Sequence, residues 1–132
     1  MGEGQKILVV DDEPSIVKMV GKRLEAAGYE VVVAMDGQEA LEKVQEARPD
    51  LILLDLMLPK VDGYEVCKSL KQAPATHAIP IIIVSARTQN SDQLYGYECG
   101  ADAYLCKPFH SQDLLKQVAE FLGARPELGG PS

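Results

Sequence analysis

Residues 51–63 read LILLDLMLPKVDG, and the reading of this stretch decides the fold. Leu51-Ile52-Leu53-Leu54 is an apolar run without polar alternation, the pattern of a strand covered on both faces. Asp55 follows at once. A carboxylate at the end of a buried strand is costly unless something compensates its charge, because desolvation disfavours the ionised form. Pro59 and the Asp62-Gly63 pair then turn the chain away. Asp55 is therefore expected at a strand mouth, only partly buried, with a function that justifies its cost.

Similar runs recur along the chain at Ile7–Val10, Val31–Ala34 and Ile81–Val84, with a weaker one at Ala103–Cys106. All are rich in Val, Ile or Leu and too short for helices, so five strands are expected. Helical patterns separate them. Ile16, Val20 and Leu24 share a face before Gly28, a suitable C-terminal stop. Ala40, Leu41, Val44 and Ala47 form the next stripe, with Asp36 and Glu39 spaced as a capping box and Pro49 beyond its end. Val66, Cys67 and Leu70 mark a short third helix. Leu94, Tyr97 and Cys99 mark a weaker fourth that ends at Gly100, with Tyr95 beside them. Ser111 is placed to cap a fifth helix carrying Leu114, Leu115, Val118 and Leu122. Five strands alternating with five helices imply an α/β fold, a doubly wound parallel (βα)5 sheet with right-handed crossovers.

The chain has 132 residues, enough for one domain with a single core. Residues 1–122 are expected to form that domain. Residues 123–132, GARPELGGPS, carry no core pattern and read as a tail or the start of a linker. A net charge of −7 argues against a nucleic-acid or membrane surface as the main partner. No apolar run reaches the length of a membrane span, and MGEGQK lacks a signal-peptide core, so a cytoplasmic location is expected. Cys67, Cys99 and Cys106 show no CxxC spacing and read as small hydrophobes in a reducing compartment rather than as redox or metal thiols. His110 is expected to be solvated at the start of the fifth helix, and His77 to lie in a loop without a role.

Sites in open parallel sheets form beyond the carboxyl ends of the strands. The first strand ends in Asp11-Asp12-Glu13, the third in Asp55, the fourth in Ser85 and the fifth in Lys107-Pro108. If these ends are neighbours, several carboxylates, a hydroxyl and an ammonium meet at one edge. Clustered carboxylates repel one another, and a single lysine does not balance them. With oxygen donors only, magnesium is the fitting counter-ion. Magnesium, a carboxylate nucleophile and a lysine are equipment for phosphoryl transfer. The plainer alternative is that Asp11 and Asp12 merely cap the first helix.

Four motifs, ILVVDDEP, LILLDLMLPKVDG, IPIIIVSA and GADAYLCKPF, occur in an order and spacing that resembles the receiver domain of bacterial two-component response regulators. The resemblance covers about residues 5–122. It implies a flavodoxin-like sheet of strand order 2-1-3-4-5, an order that periodicity does not supply. It implies that Asp55 accepts a phosphoryl group from the phosphohistidine of a sensor histidine kinase or phosphotransfer protein. Asp12 matches the direct magnesium ligand and Asp11 the one acting through water. Asp55 and the backbone carbonyl of Met57 complete the metal set. Ser85 matches the switch hydroxyl, and Lys107 the lysine that pairs with Asp55 and then with the phosphoryl group. Tyr104 matches the aromatic that turns inward, and Pro108 a proline after a cis peptide bond.

The same resemblance implies an output face built from the fourth helix, fifth strand and fifth helix. It also implies a downstream output domain or partner protein and a phosphorylation-dependent dimer. Met57 and Arg87 stand where side chains flank the water that hydrolyses an aspartyl phosphate. The expected protein is a switch that modifies itself, not an enzyme with a turnover substrate. A magnesium-dependent phosphatase with an aspartyl nucleophile is the main rival, but that family would usually place a second aspartate at position 57. A flavin-binding protein would want Ser, Thr and Gly after the first strand, where this chain has Asp-Asp-Glu. A degenerate receiver acting as a scaffold fits poorly with the intact acidic set.

Overall fold

The computed structural model describes residues 5–56, 58, 60–85 and 100–123. In chain order these form β1 (Lys6–Val10), α1 (Pro14–Ala26), β2 (Glu30–Ala34), α2 (Gly37–Ala47), β3 (Leu51–Leu54), α3 (Gly63–Gln72), β4 (Ile81–Ser85), β5 (Ala103–Cys106) and α4 (Ser111–Leu122). The helix expected around Leu94, Tyr95, Tyr97 and Cys99 lies outside the described residues. The helix labelled α4 is therefore the fifth of the sequence reading.

The five strands form one parallel sheet in the order β2-β1-β3-β4-β5. The chain goes outward from β1 to β2, then crosses back to β3 on the other side. That reversal leaves a crevice at the carboxyl ends of β1 and β3. Alternate residues of each strand feed two separate cores, as a period of two requires. Leu8, Val10, Ile52, Leu54, Ile81 and Ile83 pack with Val44, Val66 and Leu70 under α2 and α3. Ile7, Val9, Leu51, Leu53, Ile82 and Val84 pack with Val20, Leu24, Leu114 and Val118 under α1 and α4. Both faces of β3 are thus covered, which is why its sequence does not alternate. Each fully buried side chain of this size contributes about 1.5–3 kcal/mol relative to exposure.

Local chemistry sets the helix ends. Pro14 opens α1, where its missing N–H costs nothing. Gly28, at φ 100°, takes the left-handed backbone that ends the helix. Asp36 caps α2 by accepting from the Glu39 N–H at 2.7 Å. The return bond of the box goes from the Met35 N–H to Glu39 Oε1 at 2.8 Å, one residue before the cap. The Glu39 amide is the main cause that holds the Asp36 carboxyl below the ordinary aspartate range; burial opposes it and Lys60 assists. Its stabilising contribution is present above that range and is lost as pH falls through the lowered value.

The start of α4 departs from expectation. Ser111 is the first helical residue, and the cap is His110, in extended backbone with no side-chain bond. Burial of Leu114 and Val118 against the sheet fixes the phase of the helix, and Phe109 packs on the same core, so the turn falls one residue earlier. His110 is exposed, as expected.

Candidate functional site

The register brings the expected residues together. Asp11 continues β1 and donates its N–H to the Ala34 carbonyl, while the Asp55 N–H bonds the Val10 carbonyl. Ser85 ends β4 opposite Cys106, and the Lys107 N–H donates to the Ser85 carbonyl at 2.8 Å. Asp11, Asp12 and Asp55 each offer a carboxylate oxygen, all within 4.8 Å of one another. Lys107 Nζ reaches Asp11 Oδ2 at 2.6 Å and Asp55 Oδ2 at 3.2 Å.

Asp55 is more enclosed than the sequence suggested: it is 6% exposed, not partly open. The central position of β3 accounts for this, since β1 and β4 flank it and the backbone of Gly63 closes over its peptide. Asp11 is equally buried, at 3%, whereas Asp12 faces solvent. Ser85 is buried, and Tyr104 is half-buried against the core under α2 and α3. The Lys107–Pro108 peptide bond is cis. Met57 and Arg87 lie outside the described residues.

Sequence reasoning missed two contacts. It paired Lys107 with Asp55, yet the shorter bond is to Asp11. Glu13 Oε1 also comes within 3.8 Å of Lys107; the DDE run was the available signal. Asp11 does not cap α1, whose cap is Glu13 with no side-chain bond. Instead Asp11 Oδ1 accepts from the Glu13 N–H at 3.0 Å, while its Oδ2 takes the lysine.

Three negative charges thus face one buried ammonium. At these separations each carboxylate pair repels by about 1–3.5 kcal/mol, depending on solvent access. Burial draws the Lys107 pKa down, but its hydrogen bond to Asp11 and the charges of Asp55 and Asp11 outweigh this and raise it. The lysine is therefore held charged, and it still leaves a deficit equal to one divalent cation. A donor set made only of oxygens suits a hard ion such as magnesium. A buried carboxylate flanked by a fixed ammonium can accept a group whose oxygens carry negative charge.

Known proteins match this chain in sequence and in fold. The response regulator receiver domain family matches residues 7–119. The alkaline phosphatase synthesis transcriptional regulatory protein PhoP of Bacillus subtilis (strain 168) is 47% identical over 128 residues, covering 97% of this chain and 52% of that protein. The DNA-binding response regulator MtrA of Mycolicibacterium smegmatis is 45% identical over 114 residues, covering 86% and 49%. The chain spans about half the length of these curated relatives. Among solved structures, a putative response regulator from Chloroflexus aurantiacus superposes with a TM-score of 0.86 at 38% identity, covering 91% of this chain and 98% of that one. The receiver domain of sensor histidine kinase PA1611 from Pseudomonas aeruginosa PAO1 has a magnesium ion coordinated in its active-site cleft. It superposes with a TM-score of 0.85 at 30% identity, covering 92% of this chain and 99% of that one. Among the described residues no helix is long and apolar enough to cross a membrane. The parallel sheet, the acidic cluster at its switch point and these matches place the chain in the response regulator receiver domain family.

Proposed function

We propose that this chain is a magnesium-dependent phosphoacceptor switch in which Asp55 receives the phosphoryl group. The observation that carries the reading is the convergence of buried Asp55 with Asp11, Asp12 and Lys107 at the sheet's reversal point. One Asp55 oxygen attacks the phosphorus of a phosphohistidine; the O–P bond forms as the P–N bond breaks, and the electron pair leaves with the imidazole. Magnesium, when bound, supplies neutralisation of the phosphoryl oxygens. Asp12 and Asp55 would hold it directly together with the Met57 carbonyl. Asp11 would act through water, since both its oxygens already accept hydrogen bonds. Lys107 needs only to move its ammonium from the carboxylates to a phosphoryl oxygen, and the Ser85 hydroxyl takes another.

Tyr104, opposite Ile83 and two residues before Ser85's partner Cys106 on the neighbouring strand, then carries the change toward a face made of β5, α4 and the helix expected near residues 94–99. The donor would be a sensor histidine kinase or phosphotransfer protein. The receiver of the signal would be an output domain or a partner, including a second phosphorylated copy. Acetyl phosphate with magnesium should add one phosphate to the protein, mapped to the Asp55 peptide, and chelation with EDTA should prevent it. Labelling of equal extent in EDTA would refute the metal requirement.

Two further outcomes follow from the same site. Asp12→Ala should weaken magnesium binding by at least about tenfold in calorimetry, because it removes the solvent-facing ligand while leaving the Lys107 pairs intact. Unchanged affinity would take Asp12 out of the metal set. The second concerns the lifetime of the phosphorylated state, which depends on water placed in line with the leaving carboxylate. A thioether and a guanidinium do not act as general bases near neutral pH. With Met57 and Arg87 at the flanking positions, self-dephosphorylation should be slow, and Met57→Asn or Met57→Glu should accelerate decay measured after donor removal. Equal rates in all three proteins would end this assignment.

A further inference from the structure

The first residue of α3 lies against the peptide that carries Asp55. A Cβ built at Gly63 would overlap the Asp55 carbonyl oxygen and sit 2.6 Å from Leu56 Cα and 3.0 Å from Leu56 O. All three are backbone atoms, so no side-chain rotation relieves the overlap. The Gly63 N–H also donates to the Leu56 carbonyl at 3.2 Å, and the Asp55 N–H is fixed to Val10 in β1. The Asp55–Leu56 peptide is thus held between the sheet and the start of α3.

A second contact of the same kind backs the first. A Cβ at Gly37, which opens α2, would overlap the Val61 carbonyl oxygen and lie 2.7 Å from Val61 Cβ. Asp36, the cap of α2, also pairs with Lys60 at 3.6 Å. Residues 60–63 are therefore pressed between the start of α2 and the acceptor's own backbone. Neither glycine has a positive φ, so backbone conformation does not require glycine at either place. Alanine is the better helix former at ordinary positions, so only the lack of space accounts for both.

We infer that Gly63, backed by Gly37, is a positioning residue that sets where the Asp55 carboxylate sits relative to Asp12 and Lys107. The inference rests on the reading of Asp55 as phosphoacceptor. Any side chain at position 63 moves the Asp55 peptide or the start of α3, and the attacking oxygen moves with the peptide. A displacement near 1 Å lowers the rate of an oriented reaction by about a hundredfold, so a shift of part of that distance should cost about tenfold.

The test compares acetyl phosphate labelling rates at saturating magnesium, well below each melting temperature, for wild type, Gly63→Ala, Gly37→Ala and Gly28→Ala. Gly28 has φ 100° and no atom within 4 Å of a Cβ built there. Its alanine variant is therefore destabilised by backbone strain far from the site and should label at the wild-type rate. Gly63→Ala should label at least about tenfold more slowly, and Gly37→Ala should be slowed to a lesser degree. A backbone amide shift of Asp55 in Gly63→Ala, absent in Gly28→Ala, should accompany the loss. Wild-type rates in folded Gly63→Ala and Gly37→Ala overturn the positioning role. Failure of both to fold assigns the glycines to the fold alone and overturns it too. Asp55→Asn is the separate arm: if that variant still takes the label, the reading of Asp55 fails, whatever the glycines do.

Discussion

Treated with acetyl phosphate and magnesium, Asp55→Asn is expected to keep its unmodified mass. The carboxamide has nearly the shape of the carboxylate but does not supply the anionic oxygen that forms an acyl phosphate. Asp11 and Asp12 stand within 4.8 Å, yet one is engaged with Lys107 and the other faces solvent. Neither should substitute as acceptor. The same change should raise the melting temperature of the metal-free protein. It removes one of three mutually repelling charges from a buried place, while the 2.6 Å bond between Lys107 and Asp11 remains. The lost attraction to Lys107 at 3.2 Å offsets part of this, so the net gain should be about 1 kcal/mol. Persistent phosphate on another residue of Asp55→Asn would remove Asp55 from the acceptor role. A lower melting temperature without metal would show that the lysine, not the repulsion, dominates the site.

Lys107→Ala should produce the largest change in stability. The side chain of Lys107 is 12% exposed and its ammonium contacts Asp11 and Asp55, both nearly buried. Removing one partner of a buried ion pair leaves the other uncompensated and typically costs about 3–5 kcal/mol. For a domain of this size that corresponds to a fall of about 10 °C or more in melting temperature. Excess magnesium should restore much of the loss, because it neutralises the carboxylates left behind and stabilises by mass action. Magnesium affinity itself should be retained or increased, since a competing positive charge is gone. Melts in EDTA and in magnesium, with calorimetric titration, decide the matter. A loss of metal affinity as large as that of Asp12→Ala would place Lys107 among the groups that build the metal site.

The pH dependence of wild type has the corresponding sign. The Lys107 pKa is raised in the folded protein. The lysine's contribution is therefore complete below the ordinary lysine value and is lost as pH rises through the raised one. Stability in the alkaline range should fall less steeply in Lys107→Ala, which has nothing there to lose.

The elements themselves were legible because their signals are local. Apolar runs gave β3 and β5 at their observed boundaries and the other strands to within a residue. Gly28 and the Asp36–Glu39 pair marked helix ends by backbone conformation and capping, which depend on a few neighbouring residues. The Ser111 cap misled because a serine before a stripe is a frequent pattern. The cap that forms depends on how Leu114 and Val118 dock on the sheet.

By itself, the sequence determined the five strands and the four described helices, the two-sided burial of the central strand and the residue types at the strand ends. The four motifs carried the strand order only through resemblance, since no local signal encodes which strand lies beside which. Tertiary structure decided the rest. It placed Lys107 closer to Asp11 than to Asp55. It also buried Asp55 more deeply than its place at a strand mouth implied, and it set Gly37 and Gly63 against the backbone around the acceptor. Each of these depends on distances between segments far apart in the chain. Coulombic balance and steric exclusion act through space, and a linear pattern carries neither.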